Sequence, residues 1–206
     1  LEKLMQYRCK SIVAVSEYDE RNLIAESINR NVTTVYNGIS VPVMQKGLSF
    51  GIPEKYKKVI LCIARTSYPK NHILFIEVAK MLPQYAFVWI GNKEEIPDTP
   101  ENVFFLGNIQ NAAMYCSIAD MFMLPSEYEG LPIVIIEAMS CGKPIVASNV
   151  GGISELVYND VNGFVLDNKA ELFAEKIEYI LENEQVYDSM SKKSIEMYMK
   201  ELTVDK

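Results

Sequence analysis

From Lys57 onward, short apolar runs rich in β-branched and aromatic residues alternate with longer stretches whose apolar positions recur at helical spacing. The runs are Val59–Ala64, Ala86–Gly91, Val103–Leu106, Met121–Leu124, Pro144–Ser148 and Gly163–Leu166. Each is almost continuously apolar, as a strand covered on both faces must be. Between and after them the periodicity predicts helices over Asn71–Leu82, Asn111–Ala119, Ile133–Ser140, Ile153–Tyr158, Ala170–Leu181 and Glu184–Met199. This alternation predicts an α/β fold with a Rossmann-like, doubly wound parallel sheet over residues 46–206. In the last helix, Met190, Met197 and Met199 fall at helical spacings with Tyr187 and Tyr198, which predicts packing rather than a partner groove.

Residues 1–45 read as a separate unit. Ser11–Val15 and Val32–Tyr36 are predicted strands, and Ser16 with Asp19 predicts the N-cap of a helix over Glu17–Ile28. A linker is expected near Val41–Lys55. No internal repeat or low-complexity tract interrupts the pattern.

Composition narrows the classes. With 206 residues, 49% of them hydrophobic, the chain can bury one full domain core and part of a second. A net charge of −7 argues against a broad nucleic-acid or anionic-membrane surface, so any anion site must be built locally. No apolar run nears the roughly 18 residues of a membrane span, and no signal-peptide pattern opens the chain, so a cytoplasmic location is expected. Cys9, Cys62, Cys116 and Cys141 form no CxxC pair and there is a single histidine, which favours buried reduced thiols over a zinc site.

The chemistry concentrates in two stretches. Residues 126–139, SEYEGLPIVIIEAM, hold Glu129 and Glu137 with seven residues between them, a Gly-Leu-Pro turn after the first and an apolar run before the second. Pro132 suits a first helical turn and Gly130 permits close backbone approach, so free N–H groups could face a phosphate while Glu137 accepts hydrogen bonds from a vicinal diol. Read alone, the same pair could equally be a dipole-favouring residue and a solvated one. In the second stretch Arg65 and Lys70 follow the Val59–Ala64 strand, and a planar fork with a point charge at a strand end suits a diphosphate. Two solvated basic residues are the plainer alternative. His72 opens a helix, where capping or packing suffices. Gly107-Asn108-Ile109 ends a strand at the same sheet edge, and Gly151-Gly152 could line the cleft or permit tight packing.

The segment from Asp120 to Gly152, DMFMLPSEYEGLPIVIIEAMSCGKPIVASNVGG, resembles the nucleotide-sugar site of retaining family 4 glycosyltransferases of GT-B architecture. Pro-Ser at a strand end, the paired glutamates, a Gly-x-Pro turn and a Gly-Gly loop follow in that family's order, and the Lys-Asn-His start near His72 resembles a variant of it. Ala64 stands where Gly is common in the family.

The resemblance implies that this is the C-terminal, donor-binding half of such an enzyme. Residues 1–45 would be a remnant of the N-terminal acceptor domain and the start of the linker, and the chain would stop before a final crossover helix. It implies transfer of a sugar from a nucleoside-diphosphate sugar to a saccharide or lipid-linked acceptor with retention, as in polysaccharide biosynthesis. Glu129, Arg65 and Lys70 would be catalytic. Glu137, Gly130, Leu131, Pro132, Ile133 and Ile109 would bind the donor, with Ile109, and at most Gly91, near the base. No metal or other cofactor is expected, since Arg65, Lys70 and a helix N-terminus would replace a divalent cation. The expected partners are the nucleotide sugar and the acceptor, without nucleic acid, and the resemblance leaves open peripheral contact of a full-length protein with the inner face of the membrane. A nucleotide-sugar-binding module without transferase activity and a GT-B-like sugar epimerase remain alternatives. Base, sugar, acceptor and linkage are not legible.

Overall fold

The structure, a computed structural model, describes residues 2–43 and 45–204. The first unit comprises α1 (Glu2–Met5), β1 (Ile12–Ala14), α2 (Glu17–Ala25) and β2 (Val32–Thr34). β1 and β2 pair in parallel with Ile12 opposite Val32. Each of these two strands therefore satisfies one edge on the other. Val13 on β1 and Val35 just after β2 stay exposed. α2 ends three residues before the predicted Ile28. Ser27 adopts φ 64°, the Ile28 N–H reaches back to the Leu23 carbonyl at 2.8 Å, and the Ser27 N–H reaches that of Ile24 at 2.9 Å. These two bonds close a Schellman cap on a residue type that gives little warning of it.

The second unit contains β3 (Val59–Ile63), α3 (His72–Met81), β4 (Ala86–Ile90), β5 (Val103–Phe105), β6 (Met121–Leu124), α4 (Ile133–Ser140), β7 (Ile145–Ser148), β8 (Gly163–Leu166), α5 (Ala170–Glu182) and α6 (Glu184–Glu201). Its six strands are all parallel in the order β5-β4-β3-β6-β7-β8. The chain winds outward from β3 to β5, then crosses back to lay β6 against the other side of β3. The order reverses between β3 and β6, where open α/β sheets bind ligands at the carboxyl ends of their strands.

Burial explains the continuous apolar runs. β4, β6 and β7 are buried at every position, and Phe75, Phe87, Trp89, Phe122 and Phe173 fill the layers between sheet and helices. Two predicted helices are instead single 3₁₀ segments. Over Ala112–Ile118 the Ser117 hydroxyl donates to the Met114 carbonyl at 2.6 Å, a local bond that competes with α-helical pairing. The segment expected at Ile153–Tyr158 forms over Gly151–Glu155, because Asn162 accepts the Tyr158 N–H at 2.8 Å and donates to the Leu156 carbonyl at 2.9 Å.

α6 buries Met190 and Tyr198, but Met199, predicted to pack, is exposed. The Tyr198 hydroxyl donates to the Ile39 carbonyl at 2.8 Å and Ile39 bridges Thr203, so the chain beyond α6 lies against the segment leaving the first unit. The cysteines are free. Cys62 and Cys116 are buried as expected, whereas Cys9 is exposed in the polar turn after α1. Among the described residues no helix is long and apolar enough to cross a membrane.

Candidate active site

The loops leaving β3 and β6 meet at the point of reversal. The Glu127 N–H donates to the Pro69 carbonyl at 2.8 Å, which ties the Arg65–Lys70 loop to the Ser126–Pro132 loop. Across this tie the Lys70 ammonium meets Glu129 Oε1 at 2.5 Å, and the Ser126 hydroxyl donates to the same oxygen at 2.6 Å. Glu129 is only 7% exposed, so these charge-assisted bonds replace most of the water its carboxylate would otherwise need. Beneath them lies Cys62 of β3, whose thiol is pushed well up by burial. Arg65 stands exposed at the end of β3 and forms no ion pair with another described residue.

A relay not anticipated from the sequence holds Ser126. The Ser148 hydroxyl at the end of β7 donates to Asn168 Oδ1 at 2.5 Å, and Asn168 Nδ2 donates to the Ser126 carbonyl at 3.1 Å. Three strand ends are thereby locked together under Glu129. Ser148 and Asn168 carried no motif. Their only signal was a polar residue at each of two strand ends.

Gly151-Gly152, left open between cleft and packing, packs. A Cβ on Gly151, which has φ 57°, would lie 1.7 Å from the Glu129 carbonyl oxygen, and the Gly152 N–H donates to the Gly130 carbonyl at 2.8 Å. Gly91 is also a spacer: a Cβ there would lie 2.5 Å from the Ala64 oxygen, and its N–H is taken by Gly107 at 2.7 Å. That N–H is therefore unavailable to a base. His72 follows the cap rather than providing it. Asn71, at φ 50°, accepts the Leu74 N–H at 3.2 Å, while the His72 ring packs edge-on against Trp89.

α4 spans Ile133–Ser140 as the periodicity predicts, with Pro132 just outside its first turn rather than in it. Pro132 is its N-cap at ψ 112°, with no side-chain cap and no acidic residue in the first turn. Leu131 and Pro132 are buried and Ile133 is exposed. The helix ends in a Schellman cap on Gly142, with the Lys143 N–H on the Ala138 carbonyl at 3.0 Å. One turn in, Glu137 faces a cavity of about 480 Å³ lined also by Ile39, Ser40, Ile63, Asn111 and Met114. Its side chain accepts no hydrogen bond from another described residue, and burial raises its pKa above the ordinary glutamate value. Ile109 is half-buried against the core just before this wall. The candidate residues thus form two groups around the start of α4: Lys70 with Glu129, and Glu137 in its cavity. Among the described residues no three His, Cys, Asp or Glu side chains converge as a metal site would require.

A family profile described as glycosyl transferases group 1 matches residues 49–197, which contain the whole six-stranded sheet and both groups of candidate residues. The chain belongs to the group 1 glycosyl transferases. Among its curated relatives, the O-antigen biosynthesis glycosyltransferase WbnH of Escherichia coli is 31% identical over 196 residues, covering 91% of this chain and 55% of WbnH. The N,N'-diacetylbacillosaminyl-diphospho-undecaprenol alpha-1,3-N-acetylgalactosaminyltransferase of Campylobacter jejuni is 34% identical over 145 residues, 66% of this chain and 39% of that protein. The chain therefore spans about half or less of these transferases.

Solved glycosyltransferase structures superpose closely. Sucrose-phosphate synthase of Thermosynechococcus elongatus gives a TM-score of 0.86 at 22% identity, covering 99% of this chain and 57% of that one. Anabaena HepE, solved in complex with UDP, gives 0.81 at 22% identity, covering 98% and 62%. The fold is the Rossmann-like half of the GT-B architecture.

Proposed function

We propose that this chain supplies the donor site of a retaining glycosyltransferase that moves a sugar from a nucleoside diphosphate to a saccharide or lipid-linked acceptor. The observation that carries the reading is the Lys70–Glu129 pair, held between the tied loops after β3 and β6 at the uncapped start of α4. Within that pair the charges offset each other, so the surplus positive field at the cleft comes from Arg65 and the free N–H groups of α4. A diphosphate placed there would take up Arg65 and share Lys70. The same groups would stabilise the charge that grows on the departing nucleoside diphosphate as the glycosidic bond breaks, without a divalent cation.

Glu129 and the main chain of Gly130–Ile133 would then orient the donor sugar. Glu137 would accept the two ribose hydroxyls, for which its cavity has room and its carboxylate has free lone pairs. Ile109 would cover the base. Lipid-linked and O-antigen chemistry in the names of the relatives favours a glycan-building role, and the UDP complex of HepE favours a uridine donor.

A donor-binding domain that performs no transfer would share every one of these contacts, and an epimerase would share most of them. The experiment that separates them uses two samples. Residues 1–206 should bind UDP or UDP-glucose and fail to transfer sugar, because an acceptor must be held within about 3–3.5 Å of the anomeric carbon by a second domain. The complete protein should transfer with retention, read from the anomeric proton coupling of the product. An inverted anomer would overturn the mechanism, and donor binding with no transfer by the complete protein would favour the binding module.

A further inference from the structure

The N-terminus of α2 is capped from an unexpected distance. A helix leaves its first N–H groups without internal partners. The Ser16 hydroxyl takes that of Asp19 at 3.0 Å. The N–H groups of Glu17 and Tyr18 are taken, at 2.8 and 2.7 Å, by the two carboxylate oxygens of Glu155, 138 residues along the chain from Glu17. The Tyr36 hydroxyl, in the segment leaving β2, donates to the same carboxylate at 3.0 Å. One side chain thus grips both the helix and the linker of the first unit. A carboxylate at a helix N-terminus is favoured further by the helix dipole.

Glu155 is itself attached to the donor loop. It ends the 3₁₀ segment Gly151–Glu155, whose start packs on the Glu129 and Gly130 carbonyls. A Cβ on Gly152 would lie 2.9 Å from Ser16 Cβ, and one on Gly130 would lie 3.2 Å from Asp19 Oδ2, so α2 stands directly against the glutamate loop. α2 buries none of its own residues. With no apolar face to fix it, its placement depends on polar contacts, and Glu155 makes two of them.

We propose that Glu155 is a positioning residue whose carboxylate latches α2 and the Tyr36 linker onto the segment that carries the Glu129–Gly130 loop. The latch sets where the acceptor-bearing side of the enzyme stands relative to the donor. Its catalytic consequence rests on the donor-site reading above; the latch itself does not.

The test compares Glu155→Ala, Glu155→Gln and Tyr36→Phe with the wild type. Amide hydrogen exchange on residues 1–206 should show the Glu17 and Tyr18 amides losing about tenfold or more of their protection in Glu155→Ala, while β3, β6 and β7 amides hold. Tyr36→Phe, which removes only the linker bond, should give a smaller loss at the same amides. Should Glu155→Ala fold poorly, Glu155→Gln keeps the shape with one acceptor oxygen and gives the same reading. In the complete protein, Glu155→Gln should lower kcat per folded molecule about tenfold with donor KM within about twofold, whereas a general loss of folded enzyme would leave kcat unchanged once corrected for the folded fraction measured by circular dichroism.

Unchanged protection at Glu17 and Tyr18 would remove the latch, and lost protection with wild-type kcat would remove its positioning role. Failure of the wild type to bind UDP would sink the donor-site reading while leaving the exchange result to decide the latch.

Discussion

Glu129 is buried and already bonded to Lys70 and Ser126, whereas Glu137 sits half-buried in a cavity with no hydrogen-bond donor from another described residue. The first surrounding holds a carboxylate in place; the second leaves one without a donor from another described residue, which suits the proposed ribose contact. Glu137→Ala should therefore weaken binding of UDP and UDP-glucose alike by about 1.5–3 kcal/mol, while Glu129→Ala should weaken UDP-glucose more than UDP. Calorimetry on both variants with both ligands decides this, and equal losses for bare UDP would contradict the assignment.

The raised pKa of Glu137 adds a pH signature. Burial favours its protonated form in the folded, ligand-free chain, so its contribution to stability is full below the ordinary glutamate range. That contribution is lost as pH rises through the raised value. Glu137→Gln should thus raise the thermal midpoint of the ligand-free chain at neutral pH and flatten this part of the pH profile, yet weaken UDP binding. A lower midpoint would show that the charge is not held at a cost. Both glutamates, Arg65 and Lys70 were legible as residues because their types and spacing match the family. Ser148 and Asn168 were not, because a polar side chain at a strand end looks the same whether it joins a relay or meets water.

At the scale of elements, glycine decides how near the 3₁₀ segment can come to the Glu129–Gly130 loop. Gly151→Ala should cost about 2–4 kcal/mol, since its Cβ would overlap the Glu129 carbonyl and its φ is positive. It should also reduce UDP-glucose affinity by displacing Glu129. Gly163→Ala is the control: its Cβ would lie 1.8 Å from the Ile145 oxygen, between β7 and β8 and away from the ligand groups. It should destabilise similarly without changing affinity per folded molecule. Chemical denaturation and calorimetry read the two effects, and intact affinity in Gly151→Ala would contradict the support role.

The strands and α-helices of the second unit were legible because periodicity reports burial directly. The 3₁₀ segments were not, since a Ser117 back-bond or an Asn162 clamp overrides periodicity locally. The end of α2 was missed for a related reason, as its cap uses serine where glycine or asparagine is usual.

For the whole molecule, the sheet order follows from strand-helix alternation only as a class. The reversal between β3 and β6 depends on which strands pair, and no local pattern states it. The family resemblance assigned Arg65, Lys70 and Glu129 to one site without stating the strand order that brings their loops together. The contacts of Glu155 and the return of the Thr203 region to Ile39 join segments more than a hundred residues apart, which sequence periodicity does not reach.

In the proposed donor site, Arg65, Lys70 and the start of α4 bind a diphosphate without a metal ion. This binding mode is tested most directly by calorimetric titration of UDP into residues 1–206, wild type, Arg65→Ala and Lys70→Ala, each with magnesium and with EDTA. EDTA should leave wild-type affinity unchanged, and either substitution should cost about 1.5–3 kcal/mol in both conditions. A strict magnesium requirement, or full affinity in both variants, would contradict this binding mode.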